Sequence, residues 1–188
     1  MRRFLFLFGA LSLQLVSGTT SAHATTSTGT FHWEAGAGAV CAVAVEACPD
    51  VATASNGDTV TVRAQGDMNA ATGSASGGGT FVHRNSAGGL IGSGTFAATR
   101  LIDFSFYGCD GEGLPSFVCG GRAALAVHLV GHLASNPSAT IETDGILWVT
   151  CLVGSPPSGA DEGVRLNVKD LINFNKSVSG ATVFIATS

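Results

Sequence analysis

The residues most suggestive of chemistry are two carboxylates set between two cysteines. In the stretch YGCDGEGLPSFVCGG, Asp110 and Glu112 stand two apart in a Gly-rich loop flanked by Cys109 and Cys119, with Tyr107 just before it. Neighbouring carboxylates can bind calcium or serve as acid and base. A calcium loop supplies more oxygen ligands at spaced positions, however, and a glycosidase pair ordinarily comes from separate strands. A solvated turn is therefore the first expectation, with Asp110 and Glu112 retained as ligand-binding candidates. A second acidic pair, Asp161 and Glu162, follows Pro156 and Pro157 in GSPPSGADEG and reads the same way. Tyr107 and Trp33 offer aromatic faces on which a sugar can stack.

His128 and His132 are four residues apart, the spacing at which two imidazoles on a helix share one metal. Their context argues otherwise. In GGRAALAVHLVGHL, Ala123, Leu125, Val127 and Leu129 alternate with Arg122, Ala124, Ala126 and His128, which is the period of a strand. Four residues of strand separate α-carbons by roughly 13 Å, too far for one ion. A metal site would have to recruit His83 or His32 from neighbouring strands, and neither a metal nor another cofactor is expected. His83 and His128 instead join the acidic residues as the reservoir for any enzyme with dispersed acid and base groups.

Local catalytic signatures are missing. The chain contains no Gly-x-Ser-x-Gly elbow and no His-Glu-x-x-His, and its glycine clusters match neither the dinucleotide fingerprint nor the phosphate-binding loop. The triplet Gly-Thr-Phe, which starts at Gly29, Gly79 and Gly94, therefore reads as architecture. Gly permits a bend or bulge, Thr suits a pleated surface, and Phe supplies the first large core side chain.

The elements that must position these residues are strands. TVTVRAQG from Thr59 alternates Val60, Val62 and Ala64 against Thr61, Arg63 and Gln65, giving one dry and one wet face. Residues 80–84 and 90–107 flank the Gly-rich turn NSAGG, and in the second run Phe96, Ala98, Ile102, Phe104 and Phe106 share one parity, which Arg100 interrupts. After a turn at NPS, the runs ATIET and ILWVTCLVG are separated by Asp144-Gly145, a hairpin signal. The second run is apolar on both faces and reads as a central strand. Pro156 and Pro157 make residues 154–163 a loop, VRLNV is a further strand, a short turn falls around Asp170, and ATVFIAT closes the chain. The pattern predicts an all-β single domain, an antiparallel β-barrel or β-sandwich of roughly eight to ten strands.

Arg2 and Arg3, the apolar run FLFLFGALSLQLV and the site Ala22-His23-Ala24 read as a secretory signal peptide over residues 1–24, leaving the β domain over 25–188. The run is too short to span a bilayer, so a secreted protein free of the membrane is expected. The net charge of −4 becomes more negative once the two arginines leave, which argues against nucleic acid as a partner. All five cysteines lie beyond the signal. In an oxidising compartment disulfides are expected, and the short spacings Cys41 to Cys48 and Cys109 to Cys119 can each close a local loop. That pairing leaves Cys151 as a buried free thiol; other connectivities stay open. Asn175-Lys176-Ser177 matches the glycosylation pattern.

The leading functional expectation is a non-catalytic extracellular domain that binds a small molecule or a glycan. An enzyme with dispersed acid and base residues, and a structural or assembly protein, are the alternatives.

Overall fold

A computed structural model describes residues 28–111 and 113–187; the expected signal peptide and Glu112 lie outside the described residues. The described residues form one antiparallel sheet of twelve strands. They are β1 (Thr30–Ala35), β2 (Asp50–Thr53), β3 (Thr59–Asn69), β4 (Ser74–Ala75), β5 (Gly78–Arg84), β6 (Leu90–Gly108), β7 (Val118–Leu133), β8 (Asn136–Cys151), β9 (Gly163–Val168), β10 (Ile172–Phe174), β11 (Lys176–Ser179) and β12 (Thr182–Ala186). The number exceeds the expected eight to ten because β4, β10 and β11 have two, three and four residues, too few for a period to show. Among the described residues helix is limited to one turn, α1 (Val40–Val43), and a 3-10 turn, Val45–Ala47.

Hydrogen-bonded pairing runs from β1 to β3, β5, β6, β7 and β12 and returns to β1, so the sheet closes on itself. From β7 the sheet continues through β8, β9 and β10, and from β3 through β2 and β11. The result is a barrel-like sandwich around one core. Phe31, Phe104 and Phe184 pack ring to ring at 5.1 and 5.2 Å, beside Trp33, which is wholly buried. Trp33 is therefore a core residue and offers no surface to a sugar. Val60, Val62, Leu125, Leu147 and Leu166 extend the core toward β9 and β10, and Val60, Val62 and Ala64 take the inner positions that the alternation in β3 predicts.

Two of the three repeated triplets, those at Gly79 and Gly94, meet one another. Thr80 pairs with Thr95, and each of Phe81 and Phe96 stands opposite the glycine of the other triplet, Gly94 and Gly79. A Cβ on Gly79 would collide with the Arg63 carbonyl, and one on Gly94 with the Val130 carbonyl. Close approach of neighbouring strands thus requires glycine at both positions.

Two expectations need correction. Asp144-Gly145 is no turn: β8 runs unbroken from Asn136 to Cys151, with Gly145 paired to Val127 on one side and Val168 on the other. Ladders on both edges override a local turn preference, and Gly145 is needed because a Cβ there would stand 2.5 Å from the Asn167 carbonyl oxygen. The β7–β8 turn falls at residues 134–135 instead, and Pro137 is accommodated in the register shift that follows it. In β6, Ile102 is 42% exposed and Leu101 is buried in its place. Register shifts between Ala98 and Arg100 and between Leu101 and Asp103 each insert one residue. The first bulge turns Arg100 outward and Leu101 inward, and the second restores Phe104 to the core.

Candidate functional site

Beyond the core, the inner faces of β5 to β9 remain apolar where no opposing strand covers them. Along β7, the inner parity of Leu125 and Val127 continues through Leu129, Gly131 and Leu133; along β8, that of Leu147 continues through Gly145 and Thr143 to Ile141. Gly131 pairs with Ile141 and Leu129 with Thr143, which brings the two strand ends side by side. The β5–β6 hairpin contributes Phe81, His83 and Ile91, and the β9–β10 turn contributes Leu171. Together they enclose a cavity of about 370 Å³ at one mouth of the sheet.

Its floor is the core itself, Val60, Leu129, Leu166 and Phe174, all nearly inaccessible. Its rim is aliphatic and wet: Ile91 is 36% exposed, Leu133 39%, Ile141 37% and Leu171 65%. A contiguous apolar rim of this kind is uncommon on a monomer unless something covers it. Gly131 keeps the cavity open, since a Cβ there would stand 3.0 Å from the Phe81 ring.

The polar groups in this lining are few and held. His83 Nε2 lies 3.0 Å from Asp58 Oδ2, and its ring meets Phe174 edge-on at 5.1 Å. Hydrogen bonding by His83 is the main reason the Asp58 carboxyl sits below its ordinary value. His132 Nδ1 donates to the Ala139 carbonyl at 3.2 Å. Ser93 and Thr143 complete the polar set; no carboxylate or thiol is among the described lining residues. The remaining lining is aliphatic or aromatic apart from its glycines.

The other predicted residues are scattered. His128 lies on the outer face of β7, 3.0 Å from Asp144 across the strand pair and 3.6 Å from Glu142; the hydrogen bond to Asp144 is the chief cause that raises its pKa. Asp110 is exposed in the loop closed by Cys109–Cys119. Tyr107 and Asp161 are brought together in a groove on the outer face of the sheet, with Asn175 of the glycosylation pattern exposed at the same place. Glu162, next in sequence to Asp161, turns inward. Its carboxylate accepts hydrogen bonds from the Leu152 amide at 2.7 Å, the Thr182 amide at 3.1 Å and the Thr182 hydroxyl, and burial raises its pKa. This carboxylate is a brace that ties residues 154–163 to β8 and β12. Among the described residues no three His, Cys, Asp or Glu side chains gather as a metal site would need.

The bridges Cys41–Cys48 and Cys109–Cys119 are formed, and Cys151 is a buried free thiol. Among the described residues no helix is long and apolar enough to cross a membrane. No protein-family model, curated protein or solved structure matches the chain.

The rim of the mouth escaped detection in the sequence, although its signal was there. Leu133 and Ile141 keep the inner parity of their strands, but alternation alone does not tell a covered position from one at an open end.

Proposed function

We propose that the protein is an extracellular ligand-binding domain that holds a small apolar molecule in the mouth formed by β5 to β9, without acting on it chemically. The observation that carries this reading is the cavity of about 370 Å³ with an apolar floor continuous with the core and an exposed aliphatic rim. Its volume falls within the roughly 300–1,000 Å³ of small-molecule clefts, and the mouths of β-barrels are among their usual places. The few donors and acceptors suit one polar end of an otherwise apolar ligand better than a saccharide, whose hydroxyls need many partners. Two disulfides are compatible with an exported protein.

The test is titration with N-phenyl-1-naphthylamine, a neutral dye that fluoresces in apolar surroundings, followed by displacement with medium-chain fatty acids and alkanols. Saturable binding is expected, displaced by the aliphatic competitors and weakened at least tenfold in Ile141→Asp and Leu133→Asp. Covering one such side chain is worth about 1.5–3 kcal/mol, and tenfold is about 1.4 kcal/mol. Both side chains are already partly exposed, so unfolding of the variants should be little changed. Equal binding by the variants overturns the assignment. So does a dimer in sedimentation equilibrium that Ile141→Asp dissolves, because the rim would then be a contact between copies.

A further inference from the structure

The outer face of the same sheet carries a second recess of different chemistry. On β7, β8 and β9 the inner positions belong to Ala123, Leu125, Leu147, Val149, Val164 and Leu166. Alternation therefore places Arg122, Trp148 and Arg165 outside. The register sets Trp148 between Ala124 on β7 and Arg165 on β9, and Arg122 two pairs further along, opposite Thr150. Tyr107 reaches this region as the extra residue of the third register shift in β6, between Phe106 and Gly108. Residues 157–161 line the recess from the loop, and Asn173 and Asn175 from around β10. The enclosed volume is about 350 Å³.

The recess is built in advance of any ligand. The Ser155 amide donates to the Tyr107 carbonyl at 2.7 Å, and Gly154, at φ +83°, packs so closely on that carbonyl that a Cβ would collide with it. The half-buried Glu162 carboxylate fixes the far end of the loop through Leu152 and Thr182. Binding here orders little that is not already ordered.

Its charges do not balance. Arg165 Nη2 is committed to Asp161 Oδ2 at 3.0 Å. Arg122 has no ion-pair partner among the described residues, and it stands close enough to Tyr107 for its charge to act on the phenol. Two guanidinium groups against one carboxylate leave one positive charge beside two aromatic rings, in a protein whose net charge is −4. An indole and a phenol present apolar faces with a polar tip, suited to the face of a pyranose. A guanidinium fork matches a carboxylate in two hydrogen bonds, and carboxamides such as those of Asn173 and Asn175 match hydroxyls.

We propose that this groove is a second binding site, for a saccharide bearing a carboxylate, a uronate or sialate, with the sugar ring against Trp148 and Tyr107 and its carboxylate on Arg122.

The experiment is isothermal titration of the disulfide-intact protein with glucuronate-, galacturonate-, mannuronate- and sialate-containing oligosaccharides. Each is paired with a neutral sugar of equal length and with a sulfated one. At least one carboxylated member is expected to bind at least tenfold more tightly than its neutral counterpart. Arg122→Gln should remove that preference, and Trp148→Ala should weaken the carboxylated ligand at least tenfold. N-phenyl-1-naphthylamine binding at the mouth, measured on the same samples, should be unchanged and reports that the variants are folded. Should the mouth fail to bind the dye in the parent protein as well, the unfolding transition supplies that control, so the two sites stand or fall separately. Carboxylated and neutral sugars binding alike, preference for the sulfated series, or no binding of any carboxylated sugar at millimolar concentration overturns the proposal.

Discussion

Replacing Asp50 by Asn should change how the stability of the fold depends on pH. Asp50 opens β2, is wholly buried, and accepts a hydrogen bond from the Ala181 amide through Oδ1 at 2.7 Å, while Oδ2 is buried with no hydrogen-bond partner. Gly36 and Gly180 pack against it so tightly that a Cβ on Gly180 would come within 2.7 Å of the carboxyl group. Burial, opposed in part by the Ala181 hydrogen bond and reinforced by the Glu162 carboxylate, lifts its pKa from 3.8 to about 7. Below the unfolded value the group is protonated in both states. Between about 4 and 7 only the folded state holds the proton, so each step upward in pH costs stability until the folded group ionises. The interval from 3.8 to about 7, at about 1.4 kcal/mol per pH unit, amounts to about 4 kcal/mol lost by pH 8. Asn keeps the acceptor for Ala181 and cannot ionise. Urea unfolding of the parent and Asp50→Asn at pH 4.5 and pH 8 should therefore show stabilities within about 1 kcal/mol at the lower pH, where the unfolded carboxyl has begun to ionise, and an advantage for Asn approaching that figure at the higher. The comparison cancels the opposite trend of Asp58 and the contribution of His128, which both proteins share. A difference that stays constant with pH would refute the reasoning, because it would mean that Asp50 is ionised and compensated throughout.

Two further substitutions and one chemical probe bear on the core. Leu101→Ala should cost about 2–5 kcal/mol, the range for truncating a buried leucine, whereas Ile102→Ala should cost well under 1 kcal/mol; the opposite order in chemical denaturation would remove the bulges from β6. Burial pushes the Cys151 thiol up to about 12, so a disulfide reagent at pH 8 should leave the native protein unlabelled and titrate one thiol per chain in denaturant. Rapid labelling of the native state would place Cys151 outside the core.

The fold was legible wherever a residue's own period decided its side. Val60, Val62 and Ala64 in β3, and Ala123, Leu125, Val127 and Leu129 in β7, point inward as alternation requires. Periodicity failed where the partner strand decided instead. Ile102 shares the parity of Phe104, yet it is itself the inserted residue of the second bulge, which is visible only in the pairing with β7. Asp144-Gly145 carries a strong turn signal, but β7 and β9 supply ladder partners to both of its edges, and the chain runs straight through. Local chemistry proposes a turn, and two satisfied edges are worth more than that preference.

The candidate sites were less legible for a different physical reason. The acidic pairs drew notice because neighbouring carboxylates look like machinery, yet Asp161 and Glu162, adjacent in the chain, face opposite ways: one holds Arg165 at the surface and the other braces the interior. Adjacency on an extended chain separates side chains rather than joining them. The residues that do converge come from distant segments: Ile91, Leu133, Ile141 and Leu171 at the mouth, and Tyr107, Arg122, Trp148 and Asn173 in the groove. In a sheet, neighbours across the ladder lie tens of residues apart in sequence, so a binding surface is composed by register. The same geometry gives this molecule two faces of opposite character from the same strands: inner parity on β7 to β9 yields an aliphatic pocket, and outer parity yields an aromatic groove with an unpaired cation.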